Sequence, residues 1–124
     1  MNFLSSNLST NTYSIKIKKS IRLAYYDIPI PSDYKFNYIK VCINDLINNN
    51  LYLNSNKIDC SFIIPVNSSL GYRTIMNTTS QIVDSFLTIN INRIPYTTLN
   101  ISFRDMNNNL INFTDNWLIH FMIL

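Results

Sequence analysis

The chain contains no glutamate, and glycine, alanine, glutamine and histidine occur once each in its 124 residues. Each shortage removes a class of chemistry. A single glycine, Gly71, cannot build the glycine-rich loop whose backbone amides close on a phosphate, which excludes the usual nucleotide motifs. One histidine, His120, and two cysteines, Cys42 and Cys60, form no zinc-ligand cluster; the cysteines read as small buried hydrophobes in strands, with a disulfide between them as the alternative. Acid–base work would fall to seven aspartates, which are scattered singly at mostly loop-like positions. No Ser–His–Asp or Cys–His arrangement follows from the spacing. The sequence therefore predicts a protein that is not an enzyme and needs no metal or cofactor. No apolar run approaches the roughly 20 residues needed to cross a bilayer. The opening stretch, MNFLSSNLSTNTYS, has neither the basic nor the apolar region of a secretory signal.

What is present argues for a folded domain. Hydrophobic residues make up 47% and charged residues only 14%, a balance that disfavours disorder and suits one core of ordinary size. Asparagine and isoleucine occur 20 times each. Their codons are AT-rich, as in the genomes of some protists and many large DNA viruses. The net charge of +3 is mild and the lysines form no long run, so nucleic-acid binding gains little support. Asn-x-Ser/Thr sequons begin at Asn7, Asn67, Asn77, Asn100 and Asn112. That is close to what chance supplies in so Asn-, Ser- and Thr-rich a chain.

The dominant pattern has period two. In YSIKIKKSIRL, Tyr13, Ile15, Ile17, Ile21 and Leu23 share one face, and Lys16, Lys18 and Arg22 lie on the other. Lys19 falls on the apolar side, which predicts a bend or an edge there. DIPIPSD (27–33) reads as a loop broken twice by proline. FNYIKVCINDLI fits a helical stripe at some positions, but its Val, Ile, Phe and Tyr content favours a strand. NNNLYLNSN reads as a loop or weak edge. IDCSFIIPV (58–66), IVDSFLTINI (82–91), LNISF (99–103) and WLIHFMIL (117–124) each alternate as strands. The last is apolar on both faces except at His120, as a strand central to a sandwich or covered by a partner would be. The predicted fold is an all-β antiparallel sandwich, jelly-roll-like, of about six to eight strands. It spans 13–124, with residues 1–12 as a flexible N-terminal arm.

FRDMNNNLINFTDNW (103–117) admits two readings. Asp105, Asn107 and Asn109 stand at alternate positions, as the first ligands of a calcium loop would. Such a loop needs glycine at its sixth position and a bidentate glutamate at its twelfth. Here those positions hold Leu110 and Asn116. A β-hairpin explains the stretch better: a strand ends at Arg104, MNNN turns the chain and LINF returns as the second strand, because asparagine tolerates left-handed backbone and bonds its own main chain. A second turn is expected at 114–116.

Two groups of residues are candidates for contacts. Lys16, Lys18 and Arg22 are the best candidates for an anionic partner, weighed against an ordinary solvated face. Trp117, Leu118, Met122 and Leu124 on the last strand, with Tyr25, Tyr26 and Tyr34 around the proline loop, are candidates for an interface, since aromatic residues are favoured at contact surfaces.

The C-terminal stretch LNISFRDMNNNLINFTDNWLIHFMIL resembles the closing hairpin and last strand of jelly-roll minor capsid or penton-like virion proteins. These come from polinton-like viruses, virophages and large DNA viruses. The shared pattern is an alternating strand ending in Arg-Asp, a short Asn turn, an apolar pair, a second Asp/Asn turn and a final W-x-I-x-F-x-I strand. The N-terminal strand YSIKIKKSIRL, the proline loop and YIKVCINDLI agree loosely. The resemblance implies a virion structural role, a minor capsid or vertex component assembling as a trimer or pentamer or with other capsid proteins, and no catalytic residues. The short length and near-absence of glycine depart from the pattern. The alternative is a β-sandwich binding module for a host receptor, glycan or other protein. A shallow pocket lined by Tyr and Asp in the loops would favour it.

Overall fold

In the computed structural model, the described residues are 2–17, 20–44, 46–49, 51–66, 73–77, 88–90 and 96–123. They contain eleven strands and no helix. One sheet has the order β1 (Asn2–Ser6), β11 (Trp117–Ile123), β3 (Ser20–Pro29), β8 (Arg73–Asn77), and β9 (Thr88–Asn90) also pairs with β3. The second has the order β2 (Thr10–Ile17), β10 (Tyr96–Arg104), β4 (Tyr38–Ile43), β7 (Phe62–Pro65). A hairpin of β5 (Tyr52–Leu53) and β6 (Asn56–Lys57) stands apart.

All pairings are antiparallel, and their order has a simple origin. β4 pairs with β7, β3 with β8, β2 with β10 and β1 with β11, so the chain is one long hairpin folded back on itself. Two further pairings, β11 with β3 and β10 with β4, roll that hairpin into two layers. This is the eight-stranded jelly roll, with β9 and the β5–β6 hairpin added.

The layers meet through their inward residues. Ile21, Leu23, Tyr26, Ile28, Trp117, Ile119 and Phe121 of the first sheet join Ile39, Val41, Ile43, Phe62, Ile64, Leu99, Ile101 and Phe103 of the second in one core. Phe62 stacks on Phe121 across the layers, ring centroids 5.9 Å apart. Burying side chains of this size stabilises by about 1.5–3 kcal/mol each, before the chain entropy that opposes it.

Several expectations are corrected. YSIKIKKSIRL is not one strand: β2 ends at Ile17 in one sheet and β3 begins at Ser20 in the other. Lys18 and Lys19 lie outside the described residues. DIPIPSD is not all loop, because β3 continues through Ile28 and Pro29. Pro29 is tolerated because it is the last residue of the strand, and a bulge hides the strand's period upstream. His120 pairs with Tyr25 but Phe121 pairs with Leu23, so Ala24 is an extra residue. The inward set then shifts from Ile21 and Leu23 to Tyr26 and Ile28, which breaks the period of two. The 58–66 segment is a strand only over Phe62–Pro65. The first residues are not an arm: β1 pairs with β11 through Leu4↔Ile119, and β2 begins at Thr10. Of 82–91, only Thr88–Asn90 lie among the described residues; Gly71 does not.

Asparagine does the work that glycine would. The non-glycine residues with positive φ among those described are Asn44 (48°), Asn54 (50°), Ser55 (67°) and Asn108 (68°). Asn54 and Ser55 are the two central residues of the β5–β6 hairpin, whose tight turn needs positive φ at both. Asn44 follows β4 and turns its amide onto β10. Its Nδ2 donates to the Thr98 carbonyl (2.9 Å) and its Oδ1 accepts from the Asn100 amide (2.7 Å), prolonging the pairing past the strand end.

Two stability outcomes follow from these placements. Asn44→Gly keeps the left-handed backbone but deletes both amide bonds, and should cost about 1–3 kcal/mol in chemical denaturation; wild-type stability would mean those bonds contribute nothing. Tyr26, whose hydroxyl is buried with no hydrogen-bond partner among the described residues, should behave oppositely. Tyr26→Phe removes an unsatisfied polar atom and should raise stability by about 1 kcal/mol, whereas a fall in Tm would reveal a partner for the hydroxyl.

Candidate functional site

Loops 7–9, 30–37 and 105–116 gather at one end of the sandwich together with the first residue of β8. The gathering is visible in the bonds between them. Trp117 donates from Nε1 to the Leu8 carbonyl (2.8 Å). The Phe103 amide donates to the Ser9 carbonyl (2.9 Å). Arg73 pairs through Nε with the Asp27 carboxylate, through Nη1 with Asp115 (3.2 Å) and through Nη2 with the Asn116 carbonyl (2.6 Å). These are the ion pairs among the described residues, and they fasten β8, β3 and the turn before β11 to one guanidinium.

The DMNNN segment is a turn. The Asp105 carboxylate accepts from the amides of Asn107 (2.8 Å) and Asn109 (3.0 Å) through one oxygen, and the Asp105 amide donates to the Asn109 carbonyl (2.9 Å). That oxygen is directed at its own backbone, which is the asparagine-turn geometry and not a calcium-loop ligand position. Asn108 at the tip is clamped twice from the second sheet. Lys40 Nζ donates to its Oδ1 (2.9 Å) and Arg104 Nη1 to its main-chain oxygen (2.8 Å). Lys40 and Arg104 face each other across β4 and β10. Two like charges placed so would repel, and the two Asn108 oxygens lie between them as shared acceptors. After the turn, LINF does not form a strand; it touches β10 at a single bridge, Arg104↔Leu110.

Between this turn and the proline loop lies a cavity of about 350 Å³. Tyr34 and Ile111 are buried at its base, and Phe36 is half-buried in its wall. Tyr34 donates its hydroxyl to the Tyr38 carbonyl and meets Phe36 edge-on, centroids 5.8 Å apart. Burial, and after it the nearby Asp105 carboxylate, pushes the Tyr34 phenol well above its ordinary range, so it stays protonated. The rim carries exposed Asp33, Lys35, Asn107, Asn109, Asn112 and Leu110. This is the Tyr- and Asp-lined loop pocket set out above as the mark of a binding module. Only Tyr34 among its residues was a candidate from the sequence. For the others, the sequence reads Phe36 as the start of a strand and the asparagine run as a turn, and nothing in it joins the two.

The remaining candidates separate. Trp117, Tyr26 and Tyr34 are buried in the chain's own core, with Tyr34 also lining the cavity. Trp117 is enclosed by Phe103, at 4.8 Å between centroids, and by Tyr13, at 6.4 Å. Burial moves the Tyr26 phenol up to about 12. Tyr25, Leu118 and Met122 do come together, half-buried on the outer face of the first sheet, where Ile75 is 50% exposed opposite Asp27. Leu124 lies outside the described residues. The basic face is not a face: Lys16 belongs to β2 in one sheet and Arg22 to β3 in the other, and Arg22 is buried. Lys18 lies outside the described residues, as does the side chain of Lys16.

His120 is also buried, on the outer side of β11, and burial holds its imidazole below the usual range. Burial raises both thiols, Cys60 to about 12, which keeps them unreactive protonated hydrophobes. Both are free. Among the described residues no three His, Cys, Asp or Glu side chains converge as metal ligands, and no helix is long and apolar enough to cross a membrane. No protein-family model matches the chain, and a search of curated proteins finds no match to it.

The turn can be tested by one side chain. Asp105→Ala removes the acceptor of two backbone amides and should cost about 1–2 kcal/mol, while Asp105→Asn, which keeps an oxygen there, should recover most of it in the same denaturation experiment. Equal losses in both variants would mean the negative charge, not the acceptor geometry, holds the turn.

Proposed function

We propose that this chain is a non-enzymatic structural protein of a virion, a minor capsid or vertex component that assembles with copies of itself or with neighbouring capsid subunits. The observation that carries the reading is the complete jelly-roll strand order in a minimal chain, an architecture that capsid domains share with lectins and cupins. Fold by itself does not give function. The resemblance of residues 99–124 to the closing strands of minor capsid and penton-like proteins directs the choice among those uses. The outer face of the first sheet, where Ile75, Tyr25, Leu118 and Met122 stand around the Asp27–Arg73 ion pair, offers a mixed apolar and charged contact surface for a second copy or a neighbouring subunit.

A second reading has its own observation. The loop-end cavity with Tyr34, Asp33 and Asp105 favours a binding module in which the sandwich is a frame and the loops select the ligand.

Light scattering on the purified chain separates the two. A discrete trimer or pentamer, reduced to monomer by Ile75→Asp together with Leu118→Asp without loss of β-structure, is the outcome expected of the assembly reading. A monomer at every concentration tested would remove that reading and leave the binding module.

A further inference from the structure

We infer that the cavity between the proline loop and the 105–112 segment binds one neutral saccharide ring. The inference rests on the second reading above and gives it a ligand class. Size comes first. At about 350 Å³ the cavity lies near the lower end of small-molecule sites, which run from about 300 to 1,000 Å³. That is room for a single ring and not for an extended peptide.

The lining then selects the chemistry. Phe36 and the exposed Leu110 present apolar surface suited to the C–H face of a sugar. Asn107, Asn109 and Asn112 each bring an amide that can both donate and accept, and Asp33 brings an acceptor. Hydroxyl groups, which donate and accept at the same atom, can satisfy that mixture. An anion would meet two carboxylates, Asp33 and Asp105, against one Lys35. A cation would meet Lys35, and one Asp105 oxygen is already taken by two backbone amides. A purely apolar ligand would strip water from six charged or amide side chains and return nothing.

The site is also built before any ligand arrives. Asp105 pins the turn, and Lys40 and Arg104 hold Asn108, so the neighbouring Asn107 and Asn109 flank a fixed residue. On the opposite wall, Phe36 is braced by Tyr34, whose hydroxyl is held by the Tyr38 carbonyl. Little ordering then remains to oppose binding.

The test is an NMR titration of the isotopically labelled full chain with galactose, glucose, mannose and N-acetylglucosamine. N-acetylneuraminic acid serves as an anionic probe and N-acetyltyrosinamide as a peptide-like one. At least one neutral sugar should give saturable shifts confined to the Asn107, Asn109 and Asn112 side-chain amides and the Phe36 ring. Asn112→Ala should weaken it about tenfold with Tm unchanged, and Phe36→Leu should weaken it by a similar factor. Tighter binding of N-acetylneuraminic acid, or sugar-induced shifts away from the cavity, would overturn the proposal. So would saturation by N-acetyltyrosinamide with no response to sugars, although the binding-module reading would survive that result. Silence toward every probe would sink both.

Discussion

The two layers of this sandwich are joined around Trp117. It opens β11 in the first sheet, packs on Phe103 and Tyr13 of the second, and donates its indole proton to the Leu8 carbonyl in the loop joining β1 to β2. A jelly roll forms only if the long hairpin of the chain rolls up, and β11 is the strand that closes it, paired on one side with β1 and on the other with β3. A large apolar ring with one polar edge fits that position. The ring fills the space between layers, and the edge answers a backbone oxygen that would otherwise lose its water. The hydrophobic term supplies most of the energy, and the indole bond, with the Phe103 amide bond to the Ser9 carbonyl, sets where the first loop sits.

The second constraint is conformational. A chain with one glycine must make its left-handed turns from other residues, and asparagine has the shortest amide able to bond the backbone locally. Asn44 and Asn108 show what this adds over glycine. Each adopts positive φ, and each also uses its side chain to tie two strands or a turn and a sheet. Glycine would have met the first need and left the second open. The asparagine-rich composition is thus put to structural use at both ends of the sandwich, Asn108 at the loop end and Asn44 past the far end of β4.

That loop end concentrates the specific interactions of the fold. The Arg73 ion pairs, the clamped Asn108 tip, the Trp117–Leu8 bond and the cavity all lie there. The outer face of the first sheet carries Tyr25, Ile75, Leu118 and Met122 around the Asp27–Arg73 pair. None of these residues lines the loop-end cavity.

Much of the architecture was legible in the chain because burial on one side of a strand imposes a period of two. LNISF, YIKVCI and WLIHFMI declare themselves in this way, and proline and asparagine mark the breaks. The turn at 105–109 was legible too, since its chemistry is local. The sheet to which each strand belongs was not. Ile15, Ile17, Ile21 and Leu23 keep one parity across a change of layer, and the Ala24 bulge then reverses parity within a single strand. Alternation records which side is buried and carries no information about what buries it. For the same reason, Trp117, Tyr26 and Tyr34 resemble surface aromatics in the sequence and lie in the core, and Arg22 and Lys16 share a pattern without sharing a sheet. The cavity depended wholly on tertiary structure, because Asp33 and Phe36, just before β4, meet Asn107 and Asn109, just after β10, only when the rolled hairpin pairs the start of β4 with the end of β10.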